Sequence, residues 1–409
     1  MGTNHSVKDY DMDLRSMWSY WGFGFLVLII STLIPYLYYL ILVNISSNNN
    51  NNNNNINNNN NNNVSKSYEE FTPDLTILLP VKNESILIEE KLLEILSFNY
   101  SGNLSILVID SGSSDQTAKK ASQFLSDNAD ISWNVKTLST SGKSHAVNFA
   151  LDNIDTDFFI MLDADAIIET DSIGKIMNNF SNKKIGAVCG QLKINKSDPE
   201  YPYRSKFNFT REKESLLDST PIFEGSICAF RMKSIGESRL HSNINADDSQ
   251  LAIIVRRNGY TSLMDKNIKF IEPISNKFSR KRKIRRAQGL IRVLSKNYDL
   301  IFTKDRYSVI FINAMYFHIL FPWLFMMSSL ILILSSIVGI INNDMSYLEI
   351  YYSTIIFFCL FPVSSFSRNL ISGINILISA QILLFFGRKL NIWETDEDFR
   401  NNTKLLRNS

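Results

Sequence analysis

The sequence predicts an α/β domain with a mostly parallel sheet, held at a membrane by apolar helices near both ends. Strand-like apolar runs at 76–79, 104–109 and 158–162 each lead into a polar turn, with helical patterns between them. That alternation gives a parallel sheet whose strand ends share one edge. Charged residues are absent from long stretches at 18–43, 307–343, 350–367 and 369–387. A net charge of +2, from 42 Lys and Arg against 40 Asp and Glu, makes no case for a nucleic-acid partner.

Residues 1–16 form an N-terminal tail ahead of a predicted transmembrane helix over 17–43. Its uncharged core from Trp18 to Val43 is about 26 residues long, against the ~20 a bilayer requires. A cleaved signal peptide has a shorter apolar region and a small-residue cleavage site. Residues 44–73 follow as an asparagine-rich stretch, 48–63 being asparagine apart from Ile56. Such a tract is too polar and repetitive to build a core, so a disordered tether is expected.

The catalytic candidates fall in 74–278. Asp163-Ala164-Asp165 stands at the end of the apolar run 158–162. An uninterrupted apolar run needs burial on both faces and reads as a central strand, and residues just past its carboxyl end line the crevice of an open sheet. Mg²⁺ takes one or two protein carboxylates and completes its shell with water and substrate phosphates, so a short Asp-x-Asp suffices for Mg²⁺ or Mn²⁺. Asp pairs at strand ends are also frequent turn formers. Two further polar turns converge on the same edge, Pro80-Val81-Lys82-Asn83-Glu84 and Asp110-Ser111-Gly112-Ser113-Ser114-Asp115.

In this order the segments resemble the family-2 glycosyltransferases, inverting enzymes of the GT-A fold that use nucleotide-sugar donors. The resemblance spans about 74–300 and includes Gly142-Lys143-Ser144-His145-Ala146-Val147-Asn148 and Asp247-Asp248-Ser249-Gln250-Leu251. It implies nucleotide-sugar contacts from Pro80, Asn83, Glu84, Asp110, Lys143 and Asp163, a metal on Asp163 and Asp165, and a catalytic base at 247–248. Asn83 and Glu84 would hold the ribose or order the first loop, and Lys143 is either a donor near the nucleotide or a solvated loop lysine. Ser111 stands where the family usually has a second Asp.

An acceptor hydroxyl must lose a proton as it attacks an anomeric carbon, and a carboxylate is a suitable base. Asp248 is assigned that role. Adjacent acids on a helix point in different directions, which leaves Asp247 to brace the loop. The competing reading makes both acids a solvated first helical turn, favoured by the helix dipole. Gly225, inside the strand-like segment 221–231, marks either close approach of an acceptor or a bulge.

Residues 279–306 begin with six basic residues within 280–286 and continue as an amphipathic pattern through Ile284, Ala287, Ile291 and Leu294. This predicts an interfacial helix attracted to anionic lipid. Arg285, Gln288 and Arg292 share another face and are candidates for the acceptor opening or a gate. The family's processive members carry Gln-x-x-Arg-Trp in this region; Arg285-Arg286-Ala287-Gln288-Gly289 has no tryptophan, which favours transfer of one or a few sugars. Residues 307–387 hold two or three membrane passes, and 388–409 a polar tail. Arg388, Lys389, Arg400, Lys404 and Arg407 place that tail in the cytoplasm by the positive-inside rule, which requires an even number of C-terminal passes. Three cysteines, Cys189, Cys228 and Cys359, are too scattered for a disulfide framework or zinc motif.

The sequence therefore predicts an integral protein of the cell membrane with a cytoplasmic GT-A domain. Its partners would be a UDP- or GDP-sugar donor, a lipid-linked or glycan acceptor, and membrane lipids. An inactive structural partner in a membrane assembly and a sugar nucleotidyltransferase are the alternatives. The second lacks the expected Gly-rich loop after the first strand.

Overall fold

The computed structural model describes residues 14–59, 71–194, 196, 201–272, 279–342, 347–390 and 397–407. Helix α1 (Leu14–Asn59) is followed by β1 (Leu75–Val81), α2 (Ile88–Leu96), β2 (Leu104–Asp110), α3 (Thr117–Asn128), β3 (Ser132–Thr137), α4 (Lys143–Leu151) and β4 (Phe158–Leu162). Next come β5 (Ile167–Ile168), α5 (Ser172–Asn179), β6 (Ile185–Leu192), α6 (Tyr201–Leu217), β7 (Ile227–Arg231), α7 (Met232–Ile235), α8 (Asp247–Arg257) and β8 (Thr261–Ile271). The C-terminal part comprises α9 (Ser279–Lys296), α10 (Arg306–Met315), α11 (Phe321–Ile341), α12 (Leu348–Leu360), α13 (Ser365–Phe385) and α14 (Glu397–Arg407).

The eight strands form one sheet in the order β3-β2-β1-β4-β7-β6-β8-β5. Strands β1 to β4 pair in parallel, with Val81 opposite Asp110 and Leu78 opposite Met161, so the turns after β1, β2 and β4 open on one edge. The chain reverses its strand order at β1, where β2 and β4 flank it, and such a switch point leaves a crevice at the carboxyl ends. β7 then enters antiparallel between β4 and β6.

Period-two alternation divides the core. Ile77, Leu79, Val81, Ile160 and Leu162 pack with α2, α3 and α5 on one face; Leu78, Ile109, Phe159 and Met161 pack with α4 and α8 on the other. Burial on both faces is why these strands read as continuous apolar runs.

Among the described residues three helices are long and apolar enough to cross a membrane, at Tyr20–Leu42, Arg306–Ile341 and Ser365–Phe385, and Leu348–Val363 is a shorter apolar helix. The expected tether meets a different backbone, because α1 continues helical through Asn59. An apolar helix already nucleated gains one backbone hydrogen bond per added residue, and asparagine costs less than ~1 kcal/mol each relative to alanine. The rest of the asparagine tract, 60–70, and most of the N-terminal tail lie outside the described residues.

Within the polar tail, α14 packs on the α/β domain through Glu84, Glu90 and Glu94, with Arg400 and Thr403 buried.

Candidate active site

A cavity of about 730 Å³ opens at the carboxyl edge of the sheet, where the ends of β1 and β4 meet the N-terminus of α8 and the face of α9. Pro80, Glu84, Lys143, Asp163, Asp165, Gly225, Asp247, Asp248 and Arg285 all line it. Segments more than 200 positions apart in sequence thus converge on one cavity.

Strand β4 carries Asp163 and Asp165 to this edge, and the Asp163 amide donates to the Ser226 carbonyl at 3.2 Å. Lys143, at the first turn of α4, donates from Nζ to Asp163 Oδ1 at 2.6 Å. Burial opposes its charge, but Asp163, Asp247 and Asp248 hold the ammonium above its ordinary range. Asp165 is pushed up to about 7 by burial and by the surrounding Asp163, Glu272 and Glu84. Among the described residues its carboxylate makes no hydrogen bond or ion pair.

Asp163 and Asp165 present the one or two carboxylates that a cation of the Mg²⁺ type takes, with Lys143 on one oxygen of Asp163. No group of three His, Cys, Asp or Glu side chains among the described residues forms a ready-made cage. Mg²⁺ and its like need fewer, since phosphates and water complete the shell.

Helix α8 presents the two acids differently. Asp247 is buried and accepts from Ser144 Oγ, tying α8 to α4. Asp248 accepts from the Ser249 amide at 2.8 Å, and burial pushes its carboxyl up to about 6. A β-carbon on Gly225 would lie 3.1 Å from Asp248 Oδ2. The glycine therefore leaves open the space in front of the carboxylate.

Three expected residues sit elsewhere. Asp110 is buried and spends Oδ1 on the Ser113 amide and hydroxyl. Asn83, at a positive φ of 52°, donates its backbone amide to Ser113 Oγ at 2.8 Å and accepts on Oδ1 from the Ser114 amide at 2.7 Å. Both interlock the β1 and β2 turns, as Asn and Asp do when they bond nearby backbone, and neither lines the cavity. Gln288 is buried, donating to the Arg388 carbonyl at 3.1 Å and accepting from the Leu390 amide at 2.9 Å. It joins α9 to the end of α13 rather than facing an acceptor. Ser111, the departure from the family pattern, accepts from the Gly142 amide at 2.7 Å and so holds the loop before Lys143.

Other lining residues escaped the sequence reading. Arg286 belongs to the run assigned to lipid, yet it lies 3.8 Å from Glu272 and lines the cavity with Arg282. Arg211 pairs with Glu224 at 2.6 Å. Arg400 reaches the wall from α14, donating from Nε and Nη2 to the two oxygens of Glu84 at 2.6 and 2.5 Å. Burial raises the Glu84 carboxyl, and Arg400 pulls it back down. Nothing in the local pattern of 397–407 signals that pairing.

Residues 76–239 match the family described as Glycosyl transferase family 2. The chain is 29% identical over 168 residues to the poly-beta-1,6-N-acetyl-D-glucosamine synthase of Staphylococcus aureus (strain COL), a match covering 39% of this chain and 40% of that protein. The Staphylococcus epidermidis enzyme of the same name is 28% identical over 177 residues, 42% of each chain. The match thus spans about two-fifths of the length of these curated relatives. Among solved structures, a mannosyltransferase from Pyrobaculum calidifontis in complex with GDP-Man and Mn²⁺ superimposes with a TM-score of 0.75. It is 21% identical, over 90% of this chain and 99% of that one, and the likeness is one of fold.

Proposed function

We propose, from the premise that residues 76–239 are a family-2 glycosyltransferase domain on a GT-A fold, that this chain moves a sugar from a UDP- or GDP-sugar to a hydroxyl of a lipid-linked or glycan acceptor. The observation that carries this reading is Asp248, whose carboxylate borders the same cavity as Asp163, Asp165 and Lys143 and faces the space left by Gly225. A base must reach the acceptor proton while the donor's leaving group is held nearby.

Asp248 accepts the proton of the attacking hydroxyl. Asp247 fixes α8 through Ser144 and keeps its neighbour aimed at the cavity. Lys143 places a positive charge beside Asp163, where the diphosphate would lie. Asp163 and Asp165 would hold Mg²⁺ or Mn²⁺, which when bound offsets the charge developing on the leaving diphosphate.

A lipid-linked acceptor is supported by the mixed lining of the cavity, which includes Phe207, Leu290 and Leu377 as well as Arg204 and Arg285. Apolar side chains would take the lipid, and guanidinium groups a phosphate. In the membrane we place α1 and α11 across the bilayer with the shorter apolar helix Leu348–Val363 returning, and α13, although long and apolar enough to cross, along the interface because of the contacts at its two ends. The Lys206 ammonium sits 3.9 Å from the Phe366 ring centroid at the start of α13, and Gln288 of α9 holds its far end. Both ends therefore face the catalytic domain, which we place in the cytoplasm with α14.

The test is donor hydrolysis and transfer by membranes containing the wild type or Asp248→Asn, across UDP- and GDP-sugars with Mg²⁺ or Mn²⁺. Metal-dependent product from the wild type alone supports the proposal. Donor binding without turnover in both points to an inactive partner.

A further inference from the structure

The C-terminal helix reaches the donor side of the cavity from more than 300 residues away in sequence. Arg400 is buried and forms a two-pronged ion pair with Glu84, which lies just past the end of β1 and lines the cavity. Seven residues on, Arg407 Nη2 donates to the carbonyls of Ala164 at 3.0 Å and Ala166 at 2.9 Å. Those carbonyls belong to the loop that carries Asp165. Arg407 also lies 3.1 Å from Glu94, whose other oxygen accepts from the Ile168 amide at 3.1 Å.

We infer that α14 is a built-in clamp of the donor site, in which Arg400 and Arg407 act as positioning residues for Glu84 and for the 163–168 loop. This rests on the glycosyltransferase reading for its functional consequence. The clamp itself rests on the contacts alone.

The argument is one of charge and geometry. Glu84, Asp163 and Asp165 crowd one end of the cavity, and an unpaired buried carboxylate beside a diphosphate repels it. The planar fork of Arg400 neutralises Glu84 and fixes its direction, which a lysine could not do in both respects. Arg407 satisfies two main-chain carbonyls of a loop otherwise held by Lys91, whose Nζ donates to Ala166 at 2.9 Å, by Glu94, by the Asp163 amide on Ser226 and by the pairing of β5 with β8. The loop's conformation, and with it the aim of Asp165, is thereby made dependent on the tail being docked.

The experiment uses the full chain in detergent or nanodiscs and compares wild type, Arg400→Gln, Arg407→Ala, the double variant Glu84→Gln/Arg400→Gln, and a truncation ending at residue 396. Hydrogen exchange of the 163–168 amides is measured without nucleotide, and UDP and GDP binding is measured with Mn²⁺. Arg407→Ala and the truncation are expected to speed exchange at 166–168 by tenfold or more while the β1, β2 and β4 amides stay protected. Arg400→Gln is expected to weaken the nucleotide that the wild type binds by tenfold or more, and the double variant to bind it more tightly than Arg400→Gln does, because no uncompensated charge then remains.

Unchanged exchange and unchanged nucleotide affinity in the truncated chain would overturn the inference. A fall in melting temperature with both readouts unmoved would overturn it equally, since α14 would then be only a packing element. Faster exchange on truncation of a chain that binds neither nucleotide would uphold the clamp and refute the proposed function.

Discussion

Gly225 and Asp248 face each other so closely that a β-carbon on the glycine would come within 3.1 Å of Asp248 Oδ2 and 3.4 Å of its Cγ. The two residues are 23 positions apart in sequence, and on the proposed function the space between them is where the acceptor hydroxyl enters. Asp248→Asn should cut turnover 10²- to 10⁴-fold, the usual contribution of a positioned base. Gly225→Ala keeps the base but displaces it or the acceptor, and a loss of about tenfold in kcat is expected from that misalignment. Initial rates of the two variants against wild type check the order of effect.

Burial sets the acid limb of the pH profile. The Asp248 carboxyl is raised to about 6 by desolvation, partly offset by Lys143. As a base it acts only when deprotonated, so kcat/KM should be flat above pH ~6 and fall about tenfold per unit below it. The limb should vanish in whatever residual activity Asp248→Asn retains, measured over the same range.

Lys143 and Asp163 form the short ion pair at the donor end, 2.6 Å from Nζ to Oδ1. Charge-assisted hydrogen bonds contribute about 1.5–3 kcal/mol. Lys143→Met should accordingly raise the donor KM roughly 10- to 100-fold, with a smaller change in acceptor KM. Separate saturation curves for donor and acceptor distinguish this from a general loss of folding.

Gln288 and Gly289 are expected to affect stability rather than donor recognition. Gln288→Ala strips partners from main-chain groups at Arg388 and Leu390, at a cost of about 1–3 kcal/mol. Gly289 packs against the Asn245 carbonyl, and an added β-carbon would lie 2.7 Å from the carbonyl carbon. Gly289→Ala should cost about 1–3 kcal/mol through overpacking. Both variants should melt at lower temperature in detergent while donor affinity stays near wild type.

The proposed hairpin of α11 and α12 makes a prediction about sidedness. With Cys359 replaced by serine, Asn342→Cys should react with a membrane-impermeant maleimide on intact cells. Asn401→Cys, on the same side as the catalytic domain, should react only after permeabilisation. Labelling of both from outside would exclude the assignment.

What the sequence by itself determined is whatever the backbone encodes over a few residues. The runs at 76–79, 104–109 and 158–162 are apolar on both faces because helices cover both sides of the sheet, and their polar turns therefore mark one edge. Asp163 and Asp165 follow from the strand end at 162, Lys143 and Asp248 from the resemblance of their segments to the family's motifs, and all four line the cavity. The roles of Asp110 and Gln288 did not follow, and of the two roles open to Asn83 the fold selects the ordering of the first loop, because a polar side chain can satisfy nearby main chain or face a ligand with the same local pattern around it. Only the folded chain shows Asp110 on Ser113 and Gln288 on Arg388. The pairing of Arg400 with Glu84 lies beyond any periodicity, since it joins side chains 316 positions apart. Strand and helix identity is a local balance of propensity and burial; which charges meet is decided by how the ends of the chain return to the sheet, and that is a property of the tertiary fold alone.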